Sequence, residues 1–297
     1  MSFSGEVKKE LAKRVSPARH CQIAELAALM NFCGVYGMTT SYDGECEGTE
    51  ETFTLGFQTE NEAVVRKGFT LLKKTYNIDT GKALTKQDMQ ELLAKVGDLE
   101  SPVDSLLLKN ACCRRAFLRG AFLAVGSMSD PAKGYHLEFD CSDELKARQL
   151  QELIKGFEIE SKVILRKKYH VVYLKEGAAI VDLLNVFEAP VSLMNLENLR
   201  ILKEMRNSVN RRVNCETANI AKTVNAAARQ VEDLEYLEAH YGFQNLPETL
   251  REMAEIRLEY PDAPLKELGE HFNPPLGKSG VNHRLRKLSE LAEKVRP

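Results

Sequence analysis

Apolar positions along the chain change their period several times, and the changes outline two halves and a tail. Phe3, Val7 and Leu11 recur at four-residue spacing within MSFSGEVKKELAKR, which predicts a short amphipathic helix capped by Ser4. Two longer segments, IAELAALMNFCGVYG (23–37) and RAFLRGAFLAVGSMS (115–129), are apolar, helical in pattern and ended by glycine. Alternation takes over at Phe53, Leu55 and Phe57, and again at Tyr135, Leu137 and Phe139, so each run reads as a half-buried strand. Both strands lead through an acidic, polar turn into a helix ending in a Leu-Leu-Lys or Leu-Ile-Lys cluster.

These elements form an internal repeat. FTLGFQTENEAVVRKGFTLLKKTYNID runs parallel to YHLEFDCSDELKARQLQELIKGFEIES, and the preceding helices match as well. Gly34 and Gly126 stand 92 residues apart and the strands 82 apart; the extra residues fall in SYDGECEGTEE, expected to be a loop insertion. The second half adds KVILRKKYHVVYLKE, two β-rich runs about a basic turn, then the helix AAIVDLLNVFEA. Of this the first half keeps only a remnant, GKALTKQDMQELLAKVG. An α+β domain over residues 1–195, a pseudo-symmetric αββαββα repeat of unequal halves, is the predicted fold.

After Pro190 the pattern is helical and basic. Arg200, Lys203, Arg206, Arg211, Arg212, Lys222 and Arg229 face only Glu204 and Glu216 between residues 200 and 230, which suits a helical connector over 196–245. The all-α tail, 246–297, reads as three helices. Pro247 opens the first, with Leu250, Met253, Ala254, Ile256 and Leu258 on its apolar side, and Pro261 and Pro264 break it. LKELGEHF makes a short second helix, NPPLGKSG a turn of breakers, and Ser279 is expected to cap the third. Val281, Leu285, Leu288 and Ala292 share one face of that helix, leaving Lys278, Asn282, His283, Arg286 and Lys287 outward and Arg284 at the flank.

A basic exposed helix is commonly no more than a solvated face. Here the short second helix, the breaker-rich turn and the polar helix start occur together, which is the pattern of a helix-turn-helix. Lys278, Ser279, Asn282, His283, Arg284, Arg286 and Lys287 are the expected DNA contacts, cations for phosphates and amide or guanidinium groups for base edges.

Composition narrows the classes further. Hydrophobic residues at 43% and charged residues at 28% are those of an ordinary globular chain, and a net charge of −2 argues against nonspecific coating of nucleic acid. No apolar run approaches the roughly 18 residues that span a bilayer, and the N-terminus lacks the apolar core of a signal peptide. Seven cysteines without a CxxC pair argue against a disulfide framework or a zinc finger and for reduced thiols in a cytosol. Six scattered histidines form no HExxH, so no metal or cofactor is expected.

LAALMNFCG (26–34) and LRGAFLAVG (118–126) resemble the two copies of the LAGLIDADG motif of homing endonucleases. That resemblance implies two helices packed at a pseudo-twofold axis, each with an acid before its final glycine to hold the metals that cleave DNA. Ala24, Ala28, Ala116, Gly120 and Ala124 are small residues at four-residue spacing and suit the close packing. The acid positions, however, are Cys33 and Val125. Magnesium prefers hard oxygen ligands, and the neighbouring Asp43 and Asp130 read as loop caps, so no nuclease and no enzyme is expected.

Over its whole length the chain resembles the WhiA family. MSFSGEVKKEL, the connector NRRVNCETANIAKTVNAAARQVEDLEYL and the ending LKELGEHFNPPLGKSGVNHRLRKL carry the likeness. It implies a sequence-specific transcriptional regulator of sporulation or cell division in Gram-positive-type bacteria, cytoplasmic and nucleoid-associated. Its implied partners are promoter DNA and a second regulator or RNA polymerase, with no membrane. By the same resemblance, Lys278 to Lys287 is the groove-reading helix, similar to region four of sigma factors. A division or chromosome-organisation scaffold with nonspecific DNA affinity is the alternative. Secondary contacts are open to two readings: Arg211 and Arg212, with Asn214 and Asn219, as phosphate contacts or as a solvated linker, and Arg166, Lys167 and Lys168 as backbone contacts or as an ordinary hairpin tip.

Overall fold

The computed structural model describes residues 2–42, 49–79 and 81–297 and divides the chain into two compact units, Met1–Lys203 and Glu204–Pro297. The first is built from two unequal copies of one pattern. Helix α1 (Phe3–Lys13) leads into α2 (Arg19–Cys33), strands β1 (Gly34–Tyr42) and β2 (Thr49–Phe57), helix α3 (Glu62–Tyr76), the two-residue strand β3 (Leu84–Thr85) and α4 (Lys86–Val96). The second copy runs through α5 (Ala111–Val125), β4 (Gly126–Met128), β5 (Leu137–Cys141), α6 (Glu144–Lys155), β6 (Lys162–Arg166), β7 (Tyr169–Leu174) and α7 (Gly177–Phe187). Helix α8 (Pro190–His240) begins in the first unit and ends in the second.

Local chemistry accounts for most of these boundaries. Asn61 and Asp143 are the N-caps of α3 and α6, each side chain accepting from backbone N–H groups of the first turn, as the polar turns predicted. Thr85 and Asp88 form a reciprocal capping box on α4. The cap of α1 is Ser2 rather than Ser4. Ser2 has the extended backbone a cap requires, whereas Ser4 lies inside the helix and its hydroxyl accepts from the Met128 N–H at 3.2 Å, across the repeat.

All strand pairings are antiparallel, in the order β1-β2-β3 in one sheet and β4-β5-β7-β6 in the other. Alternation is cleanest in β5, where Leu137, Phe139 and Cys141 are buried and Glu138 and Asp140 stand between them on the other face. The segment SYDGECEGTEE is not simply a loop. Ser41 and Tyr42 continue β1, and Thr49 to Glu51 belong to β2, so the hairpin pairs over nine residues from Gly34↔Phe57 to Tyr42↔Thr49. The equivalent β4 pairs with β5 over three, and the insertion has therefore lengthened a ladder. Strand β3 is all that the first half keeps of the outer strand pair.

Helices α2 and α5 lie together at the centre of this unit. Ala24, Ala28, Ala116 and Gly120 are buried between them. A Cβ at Gly120 would come within 2.6 Å of the Glu25 carbonyl oxygen and 2.8 Å of Ala28 Cβ, so the two backbones approach as closely as the small residues suggested. Phe122 and Phe187 pack with centroids 5.1 Å apart, and Phe122 meets Phe139 edge-on at 6.1 Å, joining α5 to the second sheet.

The second unit holds the end of α8, a short 3-10 turn (Phe243–Asn245), and helices α9 (Glu248–Glu259), α10 (Leu265–Glu270) and α11 (Lys278–Val295). Its core joins Met253, Ala254, Leu268, Phe272, Val281, Leu285, Leu288 and Ala292 to Leu234 and Leu237 of α8 and to Phe243 and Leu246. Asp233 closes it with a 2.8 Å ion pair to Arg296. Between α10 and α11 the chain folds back tightly. The Gly269 carbonyl accepts from Leu276 N–H at 2.9 Å, and a Cβ on Gly269 would lie 2.0 Å from the Leu276 oxygen. Among the described residues no helix is long and apolar enough to cross a membrane.

Candidate nucleic-acid interface

Helix α11 is divided along its length by its 3.6-residue period. Val281, Leu285, Leu288 and Ala292 are buried against α9 and α10, while Lys278, Ser279, Asn282, His283, Arg286 and Lys287 are exposed. One face thus carries three cations, an amide, a hydroxyl and an imidazole, a mixture that serves phosphate and base edges alike. Arg286 also reaches along the helix to Glu290 at 3.1 Å, a surface pair that holds it weakly.

The start of α11 departs from expectation. Its N-cap is Gly277, with no side-chain cap, and Ser279 lies within the first turn instead. The first-turn N–H groups of α11 are therefore left without a side-chain acceptor beside the Lys278 ammonium, an arrangement that favours an anion. Arg284 is placed differently from its neighbours. Its guanidinium donates to the Thr249 carbonyl at 3.3 Å, stands 3.9 Å from Glu252 and lies 5.0 Å from the Phe272 ring centroid. With its side chain only 23% exposed, it ties α11 to α9 and the turn rather than facing outward.

In the first unit, the positions of the two motif acids lie at the C-terminal ends of α2 and α5. Cys33 is buried and its thiol donates to the Leu29 carbonyl at 3.2 Å. Burial pushes that thiol up to about 12, and the Lys8 ammonium opposes the shift only in part. Lys8 in turn is held below its ordinary value, by burial first and with Cys33 opposing. Val125 is half-buried and offers no donor. A neutral thiol, a valine and an ammonium group are the reverse of an anionic oxygen cage, so these residues do not fit magnesium. Asp130 is a turn residue whose Oδ1 accepts from Ala132 N–H at 2.9 Å; Asp43 lies outside the described residues. Lys8 at this place went unread in the sequence because it belongs to another helix.

The hairpin tip of β6 and β7 splits its three cations. Arg166 is bound by Glu138 at 3.1 Å and Asp140 at 3.1 Å on the outward face of the sheet, and these carboxylates hold its guanidinium above its ordinary value. Lys167 and Lys168 are exposed, with Lys168 over the Tyr169 ring at 5.4 Å. Two carboxylates on that face leave it a poorer phosphate surface than α11. Arg211 and Arg212 are exposed on α8, Arg211 donating back to the Asn207 carbonyl at 3.3 Å.

Three segments match described domains: residues 19–90 the WhiA N-terminal LAGLIDADG-like domain, 114–206 the WhiA LAGLIDADG-like domain, and 209–292 the WhiA C-terminal HTH domain. The chain belongs to the WhiA family. A probable cell division protein WhiA of Lachnoclostridium phytofermentans is 50% identical with all of both chains covered. One of Alkaliphilus oremlandii is 47% identical over 99% of this chain and 98% of its own. Among solved structures, the full-length DUF199/WhiA from Thermatoga maritima aligns over the whole of both chains with a TM-score of 0.56 at 25% identity. The two WhiA LAGLIDADG-like segments each overlap one copy of the repeat, and the WhiA HTH match takes in α9, α10 and most of α11. The fold class is thus the one the motif pair and the C-terminal pattern implied.

Proposed function

We propose that this chain is a sequence-specific DNA-binding transcriptional regulator of cell division and sporulation genes, that its C-terminal unit reads the duplex, and that its LAGLIDADG-like unit does not cleave. The observation that carries the reading is the two-sidedness of α11: its apolar face is buried in the module while Lys278, Ser279, Asn282, His283, Arg286 and Lys287 stand exposed on the other. Asn282 and Arg286, one turn apart, are the residues chosen to address base edges; Lys278, Lys287 and the uncapped helix start address phosphates. Arg211 and Arg212, and the Lys167–Lys168 tip, are secondary phosphate contacts. The link to division rests on the names of the relatives, and a nucleoid location follows from DNA binding. A second regulator or RNA polymerase is the partner such a role calls for.

Binding of the full chain to a labelled promoter fragment from its own genome, in the presence of excess competitor DNA, tests the reading. Asn282→Ala with Arg286→Ala is expected to abolish the preference for that fragment, each base contact being worth about 1–3 kcal/mol. Lys287→Ala should weaken binding to all sequences alike and reduce its salt dependence. Equal affinity of wild type for promoter and competitor would leave a nonspecific scaffold as the better description. Magnesium-dependent cleavage of plasmid DNA would overturn the non-catalytic assignment.

A further inference from the structure

The first turns of α2 and α5 bring together four groups that no motif spacing joins. His20 and Cys21 open α2, Cys112 and Cys113 open α5, and the one ring-nitrogen and three sulfur ligand atoms all lie within 4.8 Å of one another. His20 Nδ1 stands 3.2 Å from Cys113 Sγ and 3.3 Å from Cys21 Sγ. We propose that these four side chains form a structural zinc site that staples the two halves of the LAGLIDADG-like unit together.

Donor chemistry selects the metal. Three thiolates and one imidazole are a complete tetrahedral set for zinc, and four protein ligands with no open position mark a structural rather than a catalytic site. At about 2.3 Å for Zn–S and about 2.0–2.1 Å for Zn–N, a tetrahedral ion needs ligand atoms roughly 3.5–3.8 Å apart. The observed separations meet that after shifts of about 1 Å or less. Cys21 and Cys113 are buried in a small apolar cluster with Ala24 and Ala116, while His20 and Cys112 are exposed, so the ion has a way in and a protected seat.

The placement also suits anionic ligands. Neither α2 nor α5 has a side-chain cap, and the positive ends of their two helix dipoles lie where the four ligands stand, which favours the anionic sulfurs of the metal-bound form. Binding replaces three S–H bonds with three Zn–S bonds and releases three protons to solvent; no oxidant or reductant is required. Pseudo-symmetry explains how such a site arises without a CxxC. Cys21 and Cys113 stand 92 residues apart, the same offset as Gly34 and Gly126, and His20 and Cys112 share it. An axis between the paired helices brings equivalent positions face to face, so each half contributes two adjacent ligands. The expectation of no metal rested on local spacing, which cannot register ligands joined by a symmetry axis. The cluster is at the opposite end of the helices from Cys33 and Val125 and is independent of the ancestral cleavage site.

The test is zinc content and zinc titration of the purified full chain, kept reduced, with no other ligand added. One zinc per chain, with a cobalt-substituted form showing the spectrum of a tetrahedral thiolate site, is the expected result. Changes in groups that merely orient ligands weaken metal sites about 10–100-fold, so Cys112→Ser and His20→Ala should each cost at least about 100-fold. Both residues are exposed, and circular dichroism checks that their variants fold. Cys215→Ser, an exposed thiol of α8 outside the cluster, should leave zinc binding unchanged. Substoichiometric zinc in a folded reduced chain, affinity unaffected by Cys112→Ser, or a Cys21–Cys113 disulfide in its place would overturn the proposal. None of these readouts depends on DNA.

Discussion

Arg119 of α5 grips Glu25 of α2 with two parallel bonds, Nε to Oε1 at 3.1 Å and Nη2 to Oε2 at 3.0 Å, and both side chains are buried. Lys67 of α3 reaches the same carboxylate at 3.0 Å, and Glu188 takes the remaining edge of Arg119 at 2.8 Å. Burial works against the Arg119 charge, but Glu25 and Glu188 outweigh it and hold the guanidinium above its ordinary value. For Lys67 burial prevails and lowers it, with Glu25 opposing. The network thus binds α2, α5 and α3 at one point, and the charges of Glu25, Lys67 and Arg119 have no water to fall back on.

Breaking it from one side should be expensive. Arg119→Met leaves Glu25 with Lys67 alone, and losing one partner of a buried pair costs about 3–5 kcal/mol. Urea unfolding measures this directly. Arg119→Met combined with Glu25→Leu and Lys67→Met should recover much of the loss, because the apolar replacement no longer strands a charge. A triple variant as unstable as the single one would show that the ions, and not their desolvation, hold the helices.

Gly120 tests the helix pair differently. Its added Cβ meets backbone, the Glu25 oxygen at 2.6 Å, which cannot swing aside as a side chain can. Gly120→Ala is therefore expected to destabilise the unit by about 1–3 kcal/mol. Gly134, with nothing within 4 Å of its Cβ position, is the control, and Gly134→Ala should be neutral or slightly stabilising. Thermal melts of the two variants compare them.

How far the sequence can be read depends on the range of the interaction. Periodicity and turn chemistry are local, so Leu137 and Phe139 announced an inward face, and the polar turns before α3 and α6 announced helix starts, from a few neighbours each. The α11 face was legible for the same reason: Val281, Leu285 and Leu288 leave Asn282 and Arg286 no direction but outward. Nothing local marks Glu25, Lys67 and Arg119 as buried partners; only the packing of three distant helices does. Ser4 looked like a cap because nothing local reveals that Ser2 has the extended backbone. Lys8 beside Cys33, and His20 beside Cys113, are products of tertiary contact. The 92-residue offset was the one signal that would have paired Cys21 with Cys113.

Alkaline pH should loosen the first unit through its buried thiols. Burial pushes Cys33 and Cys141 up to about 12 from the ordinary 9.0, Lys8 opposing at Cys33 and Asp140 adding to the rise at Cys141. A group raised on folding contributes stability that is whole below its unfolded value, here 9.0, and is lost as pH climbs toward the folded value. Unfolding midpoints in urea should accordingly fall between about pH 9 and about pH 12, and Cys33→Ala should flatten that fall while costing stability at neutral pH through the cavity it leaves. An unchanged slope in Cys33→Ala would mean that this thiol ionises in the folded chain.

Arg284 separates the reading surface from its support. Sequence pattern groups it with the DNA contacts, yet its guanidinium is occupied by the Thr249 carbonyl and stacked near Phe272. The physical consequence is a change in stability, not recognition. Arg284→Ala removes a charged hydrogen bond and a cation–π contact and should cost about 1–2 kcal/mol of unfolding free energy. Promoter affinity, measured well below the melting temperature so that the module stays folded, should change less than twofold. Asn282→Ala should do the opposite, leaving unfolding within about 0.5 kcal/mol of wild type while relaxing sequence preference. If Arg284→Ala instead lost affinity as Asn282→Ala does, with no change in stability, the guanidinium would have to leave Thr249 and Phe272 on binding. The reading face of α11 would then extend one residue row further round the helix than its exposure indicates.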